Sequence, residues 1–459
     1  MDRPFEYEYT VKETVMVRTR DGTRLATDLH FPSENGENRA KGTFPVLLQR
    51  TPYYRASDVN TLNAGIFAKW GYVAVVQDIR GIFGSEGRNR SYDGDGIQGP
   101  DGYDTVEWIA KQSWSNGKVG TWGFSFPGDM AYALLCFAPP HLVSFLSCAS
   151  GVNYWKHGIR HYGAFEMRYY HGAFAAVGTK KNDPYKGTEG FDKWLDGWPI
   201  KRGASQGRKS AEEWYFTIVS ESDWPGSDSF WLRPGHRPEL YYMDMPDIPM
   251  LHYTAWYDTY IGSQDQFFTE LSKLKKAPQH LIISPRVHTT EFDMTVSGDM
   301  DFGSTVAEDY REFILRWHDQ WMKCINTGVK DEPPVRLFIM GTGTGRKTAK
   351  GHLDVGGCWR FENEWPLART QYTKYYLHGD GMLSLNLPQG SRASTTFQYD
   401  SDNPVPTIGG NISAFGDWLL PSGFDQVVTE VEFLEEMRSG NYHARHRILN
   451  RVYPDRLLE

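Results

Sequence analysis

Between residues 118 and 128 the chain reads Lys118-Val119-Gly120-Thr121-Trp122-Gly123-Phe124-Ser125-Phe126-Pro127-Gly128, and this stretch constrains the fold most tightly. A short strand-like run meets a serine flanked by small residues and continues into an apolar helix from near Met130. A serine on a sharp strand-to-helix turn needs small neighbours, because larger side chains collide across the turn. Pro127 is tolerated in a first helical turn. The stretch therefore predicts that Ser125 projects from the end of a sheet strand. The backbone N–H of Phe126 then faces the place where an oxyanion would develop. Taken alone, Gly-x-Ser-x-x-Gly also reads as a purely structural turn.

The surrounding pattern places this turn in an α/β domain. Up to about residue 150, short β-rich runs alternate with helical stretches, as in a mostly parallel sheet covered by helices. Val46–Arg50, Tyr72–Val76, Lys118–Gly120 and Leu142–Leu146 read as strands. A helix follows Asp101, with Val106, Ile109 and Ala110 on one face. Residues 151–245 lose the β signal and are rich in Trp and Tyr, which predicts an inserted helical cap. The α/β pattern resumes over 246–328, with strands at Ile248–Tyr253 and His280–Ser284 and a helix over about 305–323. After Asp331-Glu332-Pro333-Pro334, residues 329–459 change to short strands broken by Gly, Pro and Asp, such as Val335–Met340 and Thr373–Leu377. A β-sandwich or jelly roll fits that composition. Glu430–Glu459 is charged and weakly patterned.

Composition excludes several function classes. There are 49 basic and 57 acidic side chains, a net charge of −8, and a pI near 6.0, so the basic footprint of a nucleic-acid binder is missing. Aromatic residues make up 15% of the chain, which fits a folded globular protein rather than a disordered one. The four cysteines, Cys136, Cys148, Cys324 and Cys358, form no Cys-x-x-Cys pair, so neither a disulfide framework nor structural zinc is expected. The charged start, Met1–Glu8, lacks the apolar core of a signal peptide, and the cytoplasm is the default location. Residues 130–152 are long and apolar, but Pro139-Pro140-His141 splits them into a helix and a buried strand, and no membrane partner is expected.

Chain order adds to the serine. A nucleophile followed by an acid and then a histidine, each just beyond a strand end, is the order of α/β-hydrolase folds. Asp258 follows the strand Ile248–Tyr253, and His288 follows His280–Ser284. Without its partners, Asp258 reads as a loop acid capping the next helix, and His288 as a surface histidine. His252 and His280 compete as bases, although one lies inside a strand and the other starts one. Asp299 and Asp301 are further acid candidates, but both come after His288.

Five blocks, taken with these residues, resemble the cocaine esterase-like hydrolases, which are grouped with the X-Pro dipeptidyl-peptidases and include α-amino-acid ester hydrolases and glutaryl-cephalosporin acylases. They are Val15–Leu25, Arg50-Thr51-Pro52-Tyr53, Asp78-Ile79-Arg80-Gly81 with Gly84–Gly87, Asp101–Trp108 with Trp114–Gly120, and the pair Ala255–Asp258 and Pro285–His288. The resemblance implies an α/β-hydrolase core, an inserted helical cap and a C-terminal jelly roll. It also implies Ser125 as nucleophile, His288 as general base, Asp258 as the carboxylate orienting it, and the Tyr53 hydroxyl beside the Phe126 N–H in the oxyanion hole. Phe126 departs from the family's usual Tyr, Arg286 from its usual Trp, and Phe83 interrupts its glycine spacing. The jelly roll is also expected to be short, because the chain ends at Glu459.

These readings predict a serine hydrolase that cleaves a small-molecule ester or amide through an acyl-enzyme, without metal or organic cofactor. The alternatives are an X-Pro dipeptidyl-peptidase or amidase, and an inactive hydrolase scaffold that serves in binding. Trp256 and Tyr260, around the acid, are expected to line a ring-accepting pocket. Self-association into a homo-oligomer is left open.

Overall fold

A computed structural model of the chain describes residues 4–88, 98–151, 153–162, 164–165, 230–234, 236–289 and 294–389, together with 216, 394, 396–399 and 411. Ten strands form one sheet: β1 (Tyr9–Arg18), β2 (Arg24–Ser33), β3 (Phe44–Thr51), β4 (Val73–Asp78), β5 (Ser115–Thr121), β6 (Leu142–Cys148), β7 (Met250–Tyr257), β8 (Gln279–Val287), β9 (Val335–Met340) and β10 (Gly357–Glu362). Their spatial order is β1-β2-β4-β3-β5-β6-β7-β8-β9-β10. From β4 through β9, neighbouring strands are parallel, whereas β1, β2 and β10 pair antiparallel at the two ends. Every residue of β3 and β4 is buried, as central parallel strands covered on both faces must be.

Helices α1 (Asp58–Lys69), α2 (Gln98–Ala110), α3 (Phe126–Leu135), α4 (Ile261–Leu274) and α5 (Tyr310–His318) cover the two faces. The period of two decides which face each side chain serves. Val46 and Leu48 pack with Val106, Leu134 and Phe267 on one side. Leu47, between them, packs with Phe67, Trp122 and Trp317 on the other. The helix expected over 305–323 begins only at Tyr310, because the Asp309 side chain accepts from the N–H groups of Arg311 and Glu312 and so caps it there.

Two further differences concern the regions that flank the core. Val335–Met340, read as the first strand of the C-terminal region, pairs parallel with β8 and extends the main sheet. Of the strand expected at Thr373–Leu377, only Tyr376–Leu377 pairs, with Leu383–Ser384. The expected helical cap lies largely outside the described residues, as does Glu430–Glu459. The described parts of the insertion are a two-residue strand pair, Arg160–His161 with Ala164–Phe165, and the 3-10 turns Phe230–Leu232 and Pro238–Leu240.

Buried charge fixes the loops at the strand ends. Asp78 accepts from the Arg55 backbone N–H at 2.7 Å, from the Arg55 guanidinium at 2.6 Å and from the Gly84 N–H at 3.1 Å. These bonds hold the loop that carries Tyr53. The Arg80 guanidinium binds Asp101 at 2.6 and 2.9 Å and Asp21 at 2.7 Å, with Arg80 7% and Asp101 2% exposed. Removing one partner of such a pair strands a buried charge. Arg80→Met is therefore expected to lower the unfolding free energy by about 3–5 kcal/mol in chemical denaturation. Arg80→Lys should recover only part of the loss, because an ammonium cannot reproduce the guanidinium fork.

Candidate active site

Ser125 stands between β5 and α3 with φ 61° and ψ −132°. This left-handed backbone is costly for a residue with a side chain and persists only where its surroundings enforce it. Here the enforcement is visible. The Ser125 N–H donates to Cys148 O at 2.9 Å, the Cys148 N–H donates to Gly123 O at 2.9 Å, and the Gly128 and Asp129 N–H groups donate to Ser125 O at 2.8 and 3.1 Å. A Cβ on Gly123 would lie 2.6 Å from the Pro127 carbonyl carbon, and one on Gly128 would lie 1.9 Å from Ser150 Oγ. The small residues flanking the serine are thus required by close approach.

Three side chains converge beyond the ends of β5, β7 and β8. Ser125 Oγ lies 2.8 Å from His288 Nε2, and His288 Nδ1 lies 2.8 Å from Asp258 Oδ2. Asp258 is fully buried, and its other oxygen accepts from the Tyr260 N–H at 2.8 Å. With the anion on Nδ1, the imidazole places its proton there and leaves Nε2 to accept from Ser125. The His288 ring is held between Phe124, at 4.7 Å, and Tyr260, at 5.3 Å.

Tyr53 lies across the turn, its ring edge-on to Phe126 at 6.4 Å. The residue as a whole is 41% exposed, but its hydroxyl is shut in against Ser125. That burial raises the phenol above its ordinary value, with Tyr260 and Asp129 adding to the effect. The group stays protonated and able to donate. Phe126 opens α3, and the first turn of a helix points its N–H groups outward along the axis.

The other candidates sit elsewhere. Trp256, expected to line a substrate pocket, is partly buried. Its indole N–H donates to Phe338 O at 2.8 Å and its ring packs on the cluster around Phe268 and Leu281. Tyr260 does reach the histidine. His252 is buried against the Tyr132 hydroxyl at 2.5 Å and is lowered by burial to about 3. His280 packs on Trp317 at the opposite end of β8 from His288 and is lowered by burial to about 4. There it lines a cavity of about 180 Å³ with Arg316 and Glu332, remote from Ser125. Asp301 caps a turn through the Gly303 N–H at 2.9 Å, and the Asp299 carbonyl accepts from Leu353. Among the described residues, no cluster of His, Cys, Asp and Glu could hold a metal ion, and no helix is long and apolar enough to cross a membrane.

Sequence reasoning missed Asp129. An acid in a first helical turn reads as ordinary helix chemistry, and nothing local shows that this one is buried. Its Oδ1 accepts from the Gly151 N–H at 2.6 Å and its Oδ2 from the Tyr154 hydroxyl. Burial raises its carboxyl from 3.8 to about 7, opposed by those two hydrogen bonds and reinforced by Asp258. A carboxyl with a raised folded value stabilises most below its unfolded value and loses that contribution as pH climbs to the folded value. Buried His30, His252, His280 and His318, all lowered by burial, act in the opposite sense, so the useful measurement is a difference. The unfolding free energy of the parent minus that of Asp129→Asn is expected to fall between pH 4 and pH 7 and to level off on either side. A difference that stays flat through this range would put the titrating proton elsewhere.

Comparison with known proteins places this geometry in a family. Residues 21–290 match the family described as X-Pro dipeptidyl-peptidase (S15 family). Residues 327–406 match the X-Pro dipeptidyl-peptidase C-terminal non-catalytic domain. The chain is 28% identical over 434 residues to the cocaine esterase of Rhodococcus sp. (strain MB1 Bresler), covering 88% of this chain and 70% of that protein. Among solved structures, an aminopeptidase from the marine sediment archaeon Thaumarchaeota archaeon is similar, with a TM-score of 0.64 and 22% identity, over 86% of this chain and 66% of that one. A selenomethionine-labelled α-amino acid ester hydrolase aligns with a TM-score of 0.62 and 22% identity, over 84% and 64% of the two chains. The chain spans about two thirds of the length of these solved relatives. It has an α/β-hydrolase-type fold followed by a C-terminal non-catalytic domain, and it belongs to the X-Pro dipeptidyl-peptidase (S15) family of hydrolases.

Proposed function

We propose that the protein is a serine hydrolase that cleaves an ester through an acyl-enzyme on Ser125. The observation that carries this reading is the continuous chain from Ser125 Oγ through His288 to Asp258, with both contacts at 2.8 Å. His288 Nε2 takes the hydroxyl proton as Ser125 Oγ attacks the carbonyl carbon. It then returns that proton to the leaving alcohol as the bond to it breaks. Water enters, His288 removes its proton, and the acid leaves as Ser125 regains its hydrogen. Asp258 keeps the imidazole oriented and stabilises the imidazolium that forms in each half-reaction.

The oxyanion is stabilised by the Phe126 N–H and the Tyr53 hydroxyl. The raised phenol of Tyr53 supports a donor role, since a protonated group is needed there. Tyr53, Phe126, Phe124 and Tyr260 give the surroundings of the triad an aromatic character, which favours substrates with a ring or other apolar group next to the scissile carbonyl. The cocaine esterase similarity supports an ester as substrate. The family also contains X-Pro dipeptidyl-peptidases, so Xaa-Pro amides are the second substrate class. For the C-terminal domain we adopt the jelly-roll architecture implied by its short, punctuated strands.

The test is a hydrolysis screen over aryl esters, amino-acid esters and Xaa-Pro anilides, with fluorophosphonate labelling of the active serine. Ser125→Ala should abolish labelling, and Ser125→Ala and His288→Ala should each lower kcat by about 10⁶-fold, with the double variant barely worse. Asp258→Asn should lose on the order of 10⁴. Near-native turnover by Asp258→Asn would reassign the acid. Tyr53→Phe keeps the ring and its packing but removes one aimed donor, so kcat should fall by roughly 10² to 10³ with little change in stability. Turnover within about threefold of the parent would show that the second donor is another group.

A further inference from the structure

Arg286 is 3% exposed and lies two residues before His288, inside the irregularity that interrupts the pairing of β8 with β7 between Ser284 and Val287. A strand that bulges at this point re-aims the side chain that follows, so whatever fixes the bulge fixes the direction in which His288 leaves the sheet. The Arg286 guanidinium is bound from β7 and from the segment that precedes α5. Nη1 donates to the Tyr253 hydroxyl of β7 at 2.6 Å and to Glu308 Oε2 at 3.2 Å, and Nη2 donates to Val306 O. Glu308 then reaches out of the catalytic core, because its Oε1 accepts from Arg336 Nη1 of β9 at 2.6 Å. The Arg336 guanidinium lies 3.9 Å above the Trp359 ring of β10, and the Trp359 indole N–H donates to Thr305 O at 2.9 Å.

These contacts form one closed circuit from the strand bearing the histidine, through Glu308, to the first strands of the C-terminal region and back. The acid side carries a parallel tie, since Trp256, two residues before Asp258, donates to Phe338 O of β9 at 2.8 Å. We propose that Arg286 is a positioning residue for His288, and that Glu308 and Arg336 make the β9–β10 strand pair part of the apparatus that aims the base. The inference rests on the serine-hydrolase reading above. Arg286 itself takes no part in proton transfer. It holds the turn so that Nε2 meets Ser125 at reacting distance, and a displacement of about 1 Å at such a contact costs on the order of 10²-fold in rate.

The variants are Arg286→Met, Arg286→Lys, Glu308→Gln and the double variant Arg286→Met/Glu308→Gln, in the full chain. Steady-state hydrolysis of an aryl ester and the rate of fluorophosphonate labelling are measured at a temperature where denaturation curves show each variant folded. Arg286→Met is expected to lower kcat and the labelling rate by roughly 10- to 100-fold with KM within about twofold of the parent, because the substrate contacts stay and only the base is misplaced. Arg286→Lys should recover part of kcat. The double variant should be little worse than Arg286→Met, as for groups acting as a unit. Arg316→Met, on α5, removes a part-buried pair with Glu332 and the bonds to Thr327 O and serves as the control, with activity unchanged.

If Arg286→Met does not fold, Glu308→Gln carries the test, with an expected fall in kcat of about fivefold or more at constant KM. Folded variants that keep kcat within twofold of the parent, or whose loss falls on KM alone, overturn the proposal. Failure of the hydrolase reading is distinguishable, because the parent would then neither turn over the esters nor take the fluorophosphonate label at Ser125.

Discussion

The left-handed backbone at Ser125 is the constraint on which the site depends. Such a conformation costs on the order of 1–3 kcal/mol for a non-glycine residue, and the sheet holds it through β6. Cys148 accepts from Ser125 and donates to Gly123, while Phe124 bridges to Cys148 in parallel register. The strand pairing therefore continues past the end of β5 and grips the turn from one side. From the other side, the first turn of α3 grips it through the Ser125 carbonyl. A serine held by both elements has little freedom beyond its side-chain rotamer, and the histidine facing it needs comparable restraint.

That restraint spreads through close backbone approach. Gly128 lets α3 settle against Ser147 and Ser150, and a Cβ on Gly151 would lie 2.3 Å from the Tyr260 ring. Tyr260 in turn packs on His288 and donates its N–H to Asp258. Gln264, one turn into α4, donates to Ser150 O at 3.0 Å and accepts from the Tyr132 hydroxyl at 3.0 Å. The segments after β6 and after β7 are locked to each other behind the triad. The turn that carries His288, on the next strand outward, is held by the Arg286 contacts and by the Ser297 hydroxyl, which donates to Pro285 O at 3.2 Å.

How much of this was legible in the sequence follows from the range of the interactions involved. The turn around Ser125 was legible because its requirements are local: small residues, a strand before and an apolar helix after. Asp258 and His288 were legible because strand ends and chain order locate them without any three-dimensional contact. For Trp256 the sequence does not decide, because an aromatic residue beside an acid looks the same in sequence whether it faces substrate or core, and its indole N–H partner is Phe338, 82 residues further on. Asp129 was overlooked for the same reason, since the groups that bury it, Gly151 and Tyr154, lie 22 and 25 residues away. The attachment of Val335–Met340 to the main sheet escaped notice because a change in composition marks a change of texture and does not reveal strand pairing.

Two buried carboxylates near one nucleophile raise a problem of charge that the fold solves by treating them differently. Asp258 faces the Tyr260 N–H and the His288 ring, where the proposed mechanism uses it to stabilise the imidazolium. Asp129 is offered only a backbone N–H and a phenol, and its value rises to about 7. Burial disfavours the charged form of Asp129, with Asp258 a smaller contribution in the same direction and the two hydrogen bonds opposing both. Asp129 therefore holds its proton further up the pH scale than an exposed carboxyl does. For Tyr53, burial, Tyr260 and Asp129 all oppose ionisation and preserve a hydroxyl that can donate. The polar groups around Ser125 thus comprise a carboxyl facing the histidine, the histidine itself and a set of donors, the groups that the proposed acyl transfer requires.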